Sequence, residues 1–194
     1  MQIRSRGFTL IEMIGVVAVI GILASVAAPM IFDAIRNARV TAFVEEANSL
    51  RTAVTNYYND TGNFPNHRPT STNANLKVLL TNPASAPIAG WDGPYIEKDI
   101  DNPFQAGANR GIWNTNNANY QFDLDGDGNV DTTQVSVLRM DQVSDADARR
   151  ISDILDNDGD IDSGTNAWFS SGRVKRYGTN SDHPHILLVY MARE

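Results

Sequence analysis

The 194 residues carry 16 lysines and arginines against 23 aspartates and glutamates, a formal charge of −7, and no cysteine. That length holds one domain with a real core, and the missing cysteines exclude a disulfide framework and a thiolate metal site. The acidic balance, with no basic aromatic patch, argues against nucleic acid as a partner.

Arg4 and Arg6 open the chain, and residues 13–32 then run for twenty positions without a charge; the apolar run reaches back to Phe8 with only Glu12 interrupting it. Such a run spans a bilayer. The arginines precede it, while Asp33 and a largely acidic remainder follow, so the positive-inside rule leaves the N-terminus cytoplasmic and the body outside. Loss of a leader containing both arginines would take the charge from −7 to −9. A secretory signal peptide is the plainer reading of a charged start and an apolar run. Three features oppose it: the run is longer than a usual h-region, no small-x-small site ends it, and a carboxylate sits near its cytoplasmic edge. An isolated carboxylate in hydrocarbon costs several kcal/mol unless it is partnered, so Glu12 marks function. If the chain is cut between Gly7 and Phe8, the new α-amino group stands four residues before Glu12 and supplies the cation. The alternative is a carboxylate that snorkels to the interface from an ordinary anchor.

The segment Gly7-Phe8-Thr9-Leu10-Ile11-Glu12 resembles the processing signature of type IV prepilins and type II secretion pseudopilins. The resemblance implies cleavage after Gly7 by a prepilin peptidase, N-methylation of Phe8, and Glu12 as the fifth mature residue. Gly21 and Pro29 fall where such helices commonly carry a glycine and a proline, and in family filaments the stretch between them can lose helical hydrogen bonds on assembly. Proline removes a backbone donor and glycine is a weak helix former, so this part of the helix is the cheapest to extend. A tolerated proline kink is the plainer reading.

After Pro29 the pattern turns amphipathic. Val40, Phe43, Ala47, Leu50, Val54 and Tyr57 are spaced by three and four on one face, and Arg36, Arg39, Glu45, Glu46 and Arg51 decorate the rest. The spacing predicts one rod of about fifty residues, near 75 Å at about 1.5 Å per residue. Asn59-Asp60-Thr61-Gly62-Asn63-Phe64-Pro65 reads as its stop. Residues 75–80 suit a short second helix, and the aromatics of Gly90-Trp91-Asp92-Gly93-Pro94-Tyr95-Ile96 can cover an apolar face. Tyr57 to Pro65, a short helix, then Trp91 to Ile96: that order resembles the major, G-type pseudopilin over roughly the first hundred residues. Where that family usually carries Asp-Pro-Trp-Gly, this chain has Asn102-Pro103-Phe104-Gln105.

Residues 135–140 and 186–191 have the content of strands, and Ser144 with Asp147 three positions on starts a short helix through Leu155. The expected fold is α+β: a long N-terminal helix, half transmembrane and half amphipathic, packed on a small antiparallel β-sheet with acidic, calcium-binding loops. The C-terminal half is longer than a typical G-type body, which leaves its topology open.

Asp123-Leu124-Asp125-Gly126-Asp127-Gly128-Asn129-Val130-Asp131 puts oxygen donors at alternate positions, a glycine at the sixth and an apolar residue at the eighth. This is the front of a calcium loop of the EF-hand kind, with Asp123, Asp125, Asp127 and Asp131 as carboxylates and Asn129 as a backbone carbonyl. Its twelfth position is Gln134 rather than a bidentate glutamate. A second run, Asp156-Asn157-Asp158-Gly159-Asp160-Ile161-Asp162, has Ile161 where the turn glycine belongs, which makes Asp156, Asp158, Asp160 and Asp162 the weaker candidates. The alternative for either run is a solvated acidic turn. G-type pseudopilins bind calcium in a C-terminal loop, so the resemblance implies calcium as well.

His183 and His185 flank Pro184 without an acid–base constellation, Trp113 and Trp168 read as core or subunit contacts, and no phosphate loop or nucleophile elbow is present. The expectation is therefore a non-enzymatic filament subunit with residues 1–7 as leader, 8–32 as the transmembrane and filament-core helix, and 33–194 as a periplasmic body whose helix continues to about 60. It would sit as a single pass in a bacterial inner membrane. Its expected partners are like subunits, other pseudopilins, the prepilin peptidase and the inner-membrane assembly platform. A type IV pilin of a surface filament and a membrane-tethered, calcium-stabilised binding module are the alternatives.

The mature protein is expected to begin at N-methylated Phe8, and a bulky residue in place of Gly7 to block trimming. Mass spectrometry of the N-terminus checks both, and an assembled form that retains Met1, or is cut beyond Ala28, refutes the processing reading.

Overall fold

The computed structural model describes residues 7–65, 76–84, 86–106, 108, 110–115, 121–127, 129–132, 134–156, 172–177 and 186–193. Helix α1 runs from Leu10 to Thr61, with Pro29 inside it. The chain divides into two compact units between Arg39 and Val40, inside this helix. In the first unit the large apolar side chains from Phe8 to Ile35 are exposed. By length and composition α1 is a helix able to cross a membrane, and its apolar window has none of its surface buried by the protein.

In the second unit α1 buries Val40, Phe43, Val44, Ala47, Leu50, Ala53, Val54 and Tyr57. This is the predicted stripe, widened by Val44 and Ala53. The helix ends where Gly62 takes a positive φ of 70° and donates its N–H to the Tyr58 carbonyl at 2.8 Å, the left-handed cap that glycine adopts without a side-chain clash. The short helix α2 spans Lys77–Leu80; residue 75, where the sequence predicts its start, lies outside the described residues.

The body continues with β1 (Arg110–Thr115), β2 (Val135–Met140), α3 (Asp145–Asp156), β3 (Val174–Tyr177) and β4 (Ile186–Arg193). The four strands form one antiparallel sheet in the order β1-β2-β4-β3. Strand β2 agrees with the predicted 135–140, and β4 runs two residues beyond the predicted 191. Strands β1 and β3 are not evident in the sequence, because Arg110-Gly111-Ile112-Trp113-Asn114-Thr115 and Val174-Lys175-Arg176-Tyr177 are short and polar, as edge strands tend to be. Helix α3 starts as read: Ser144 Oγ donates to Asp147 Oδ2 at 2.6 Å and accepts the Asp147 N–H at 3.2 Å.

The sheet is buried on both faces. Ile112, Leu138, Met140, Leu187, Val189 and Met191 share one core with the α1 stripe, while Val135, Val137, Leu188 and Tyr190 form a second core with Phe122. Pairing of β2 with β4 slips between Ser136 and Val137, whose partners are Ala192 and Tyr190, so Met191 is the extra residue of a bulge. Arg51 of α1 donates from Nε to the Met191 carbonyl at 3.0 Å, which ties the helix to that bulge.

The loop between α2 and β1 lies on the inner core. Trp91 Nε1 donates to the Val78 carbonyl at 2.7 Å, and Tyr95 packs edge-on against Tyr57. The Asn102-Pro103-Phe104-Gln105 element does its own packing: buried Asn102 donates to the Asp141 carbonyl at 2.8 Å and accepts the Phe104 N–H at 3.0 Å, and the Phe104 ring meets Phe43 edge-on at 5.2 Å. Arg110, whose side chain is 8% exposed, closes this loop onto β1 by pairing with Asp99 at 3.2 Å and Asp101 at 3.3 Å.

Arg110→Ala would leave Asp99 without its cation beside the core, and such a loss typically costs roughly 3–5 kcal/mol. We expect less, about 2 kcal/mol, because the Asp99 side chain is 31% exposed and Asp101 97%, so water screens both. Asp101→Ala is expected to be close to neutral in the same thermal melts, and equal melting points for Arg110→Ala and the unmutated chain would refute the lock.

Candidate functional site

Two segments carry the candidate residues. At the N-terminus, Gly7, Phe8 and Thr9 precede the first helical turn in no regular structure. Gly7 has no atom within 4 Å of the place its Cβ would occupy, and Phe8 is 83% exposed, so the Gly7–Phe8 bond is open to a peptidase. Arg4 and Arg6 lie outside the described residues.

Glu12 has a local partner. Its Oε2 accepts the Thr9 N–H and the Thr9 hydroxyl, both at 2.8 Å, while Thr9 Oγ1 receives the Glu12 N–H at 3.4 Å. The Thr9 carbonyl accepts the Met13 N–H at 3.2 Å. This is a capping box, with Thr9 as N-cap and Glu12 as the third helical residue, and it satisfies donors that the helix leaves without partners. The sequence reading missed Thr9, although the T-x-x-E spacing ahead of an apolar run was there to be found.

At Gly21 a Cβ would meet nothing within 4 Å beyond the neighbouring backbone of its own helix. Pro29 has no N–H to offer the carbonyl four residues back, that of Ser25, and the Ser25 hydroxyl donates to the Ile22 carbonyl at 2.7 Å. Residues 21–29 are nevertheless helical throughout.

The acidic loop is built from the second core outward. Phe122 is buried against Tyr190, with ring centroids 5.7 Å apart, and Leu124 packs on the same cluster. Buried Thr132 accepts the Phe122 N–H at 2.8 Å, and the Phe122 carbonyl accepts the Asp131 N–H at 2.9 Å, which closes the base. Asp123 is half-buried beside that core and Asp125 is exposed. Carboxylate oxygens of Asp123, Asp125 and Asp131 lie within 4.8 Å of one another. Asp127 is not in that group: Asn129 donates to it from its side chain at 3.1 Å and from its backbone at 2.7 Å, and these bonds hold Asp127 below the usual carboxylate range. Turn glycine Gly128 lies outside the described residues.

Three converging carboxylates are hard oxygen donors suited to calcium or magnesium rather than to a soft metal. In the second run only Asp156 is described; it accepts the Arg173 N–H at 2.7 Å and the Ser152 hydroxyl at 3.2 Å. Asp158, Asp160 and Asp162 lie outside the described residues, as do His183, His185 and Trp168. Trp113 packs beside the second core with the Arg139 guanidinium 4.9 Å above its ring.

Two family models match: the prokaryotic N-terminal methylation motif over residues 3–28, and the C-terminal region of PilW over residues 34–121. The chain is similar to the type IV major pilin protein PilE1 of Neisseria gonorrhoeae, 41% identical over 69 residues, which is 36% of this chain and 32% of that one. It is similar to the fimbrial protein EcpC of Eikenella corrodens, 40% identical over 60 residues, 31% of this chain and 39% of that one. It is also similar to the type II secretion system core protein G of Pectobacterium carotovorum subsp. carotovorum, 34% identical over 84 residues, 43% of this chain and 51% of that one. The matched stretch thus spans 32–51% of the length of these relatives. No solved structure matches the chain.

Thr9→Ala removes the N-cap oxygen, worth about 1 kcal/mol, and should speed amide exchange at Glu12 and Met13, the two amides bonded to Thr9, about fivefold in detergent micelles. Glu12→Gln keeps a carbonyl oxygen for the box and should change those rates little. Equal exchange in Thr9→Ala and the unmutated chain would refute the cap.

Proposed function

We propose that this chain, a type IV prepilin-like protein by its methylation motif, its PilW-type body and its relatives, is a structural subunit of a type II secretion pseudopilus. One observation carries the filament reading: the first unit exposes its large apolar side chains from Phe8 at 83% to Ile35 at 51%. Such a surface needs lipid before assembly and other apolar helices after it. The finer choice of a secretion pseudopilus rests on the similarity to core protein G, which runs over 84 residues against 69 for PilE1 and 60 for EcpC. A surface type IV pilin is the second reading, favoured by the Neisseria and Eikenella relatives. Cross-linking in cells separates them: contact with secretion-system subunits supports the first, and filaments labelled outside the cell support the second.

Within that reading, Gly7–Phe8 is the bond a prepilin peptidase cuts, and Glu12 has a second task beyond its cap. Cutting frees an ammonium on Phe8, four residues before the carboxylate, and in a low-dielectric bundle each charge is costly without the other. Glu12→Gln, which can keep the cap but not the charge, and Glu12→Ala, which loses both, are both expected to insert, to be trimmed, and to assemble at least tenfold less filament. Normal assembly of Glu12→Gln, measured as sheared filament per cell, would mean that the cap alone matters.

We further propose that the loop around Asp123, Asp125 and Asp131 holds calcium, which needs six to eight oxygens; the Asn129 carbonyl and water would add to the carboxylates. Bound there, the ion would neutralise the mutual repulsion of three clustered charges. At a free concentration 100 times its Kd, calcium would stabilise the chain by about 2.7 kcal/mol. Thermal melts with calcium and with chelator should differ for the unmutated chain and coincide for an Asp125→Ala, Asp131→Ala variant. Coincident melts for the unmutated chain would make the loop a solvated turn.

A further inference from the structure

We infer that Gly172 and Arg173 form a clasp through which a cation in the acidic loop orders the far end of α3. The inference rests on the calcium reading of that loop. Two successive residues make three ties through their backbones. The Gly172 N–H donates at 2.7 Å to the carbonyl of Asp123, whose side chain is one of the three converging carboxylates. The Arg173 N–H donates at 2.7 Å to the carboxylate of Asp156, the last residue of α3. The Arg173 carbonyl accepts the Tyr190 N–H at 2.7 Å, and Tyr190 carries the ring that backs Phe122 at the base of the loop.

Glycine is required at the centre of this arrangement. Gly172 has a φ of +84°, and a Cβ there would stand 2.6 Å from the Asp156 carboxylate. The same carboxylate receives the Ser152 hydroxyl from the preceding turn, so it fixes the end of α3 as well as the clasp. An unfilled loop has three carboxylates pushing apart, and the backbone of Asp123 moves with them. Any shift of its carbonyl pulls on Gly172, and through Arg173 on Asp156. Filling the loop fixes Asp123 and therefore the whole chain of bonds. In this design Asp156, the first residue of the second acidic run, serves the first run as a mechanical link.

Hydrogen exchange of the full chain in detergent micelles, with calcium or with chelator, tests it. Calcium is expected to slow exchange in 121–132 and, in the same titration, to slow the Gly172 and Arg173 amides and the last turn of α3 at least fivefold more than β1. Asp125→Ala should abolish both responses. Gly172→Ala should keep the loop response and lose that of α3; Asp156→Ala, which leaves the backbone geometry alone, is expected to do the same if Gly172→Ala does not fold. Slowing confined to 121–132, or shared equally by β1, would overturn the clasp while leaving the calcium reading standing. No response anywhere would overturn both.

Discussion

The constraint on which everything else depends is that one helix must satisfy two environments. From Met13 to Phe32 α1 carries no charge and its large apolar side chains are exposed, which water does not tolerate over such an area. From Val40 the apolar residues narrow to one stripe, and that stripe is the main wall of the body's inner core. The first half is therefore specified by what surrounds the protein and the second by what the protein packs onto itself. A hydrophobic substitution at Leu23 and one at Leu50 are consequently different experiments. The former changes an outer surface; the latter changes a side chain that is 1% exposed.

Beyond the helix, the sheet resolves a problem of coverage. A small antiparallel sheet can leave one face to solvent, but β2 and β4 here are apolar on both sides, and the outer face needs a cover. The acidic loop supplies it with Phe122 and Leu124. Of its aspartates, Asp125 and Asp131 are exposed and Asp123 is half-buried. The chemistry of the loop and the closure of the fold are thus two faces of one short segment. The bulge at Met191 does comparable work on the inner side, where Arg51 binds the carbonyl of the extra residue.

What could be read from the sequence follows from how local each signal is. The helical stripe, the stop at Gly62, strand β2 and the Ser144 cap are all written in neighbouring residues, and the structure bears them out. Strand β1 is not, because Arg110 enters it as a buried cation whose partners, Asp99 and Asp101, lie in the preceding loop. The second core was hidden for a similar reason: Phe122 gains its meaning only when Tyr190, far along the chain, is placed beside it. The converging carboxylates show both limits. Spacing singled out Asp123, Asp125 and Asp131, and it also singled out Asp127, which spacing alone cannot show turning to Asn129.

That turn bears on how such a loop can exist at all in a chain already carrying −7. Crowded carboxylates repel, yet here they spend acceptor capacity on the loop's own backbone. Asp123 accepts the Gly126 N–H at 2.8 Å, Asp125 that of Asp127 at 3.1 Å, Asp127 that of Asn129 at 2.7 Å, and Asp131 that of Leu124 at 2.6 Å. Each bond gives a negative oxygen a positive dipole and fixes one more backbone angle. Asp127 spends both of its oxygens in this way, since the Asn129 side chain takes the second at 3.1 Å. A run of aspartates spaced by two is suited to this because the side chain is short enough to reach the amide two or three residues on, and glutamate, one methylene longer, is not favoured in such turns.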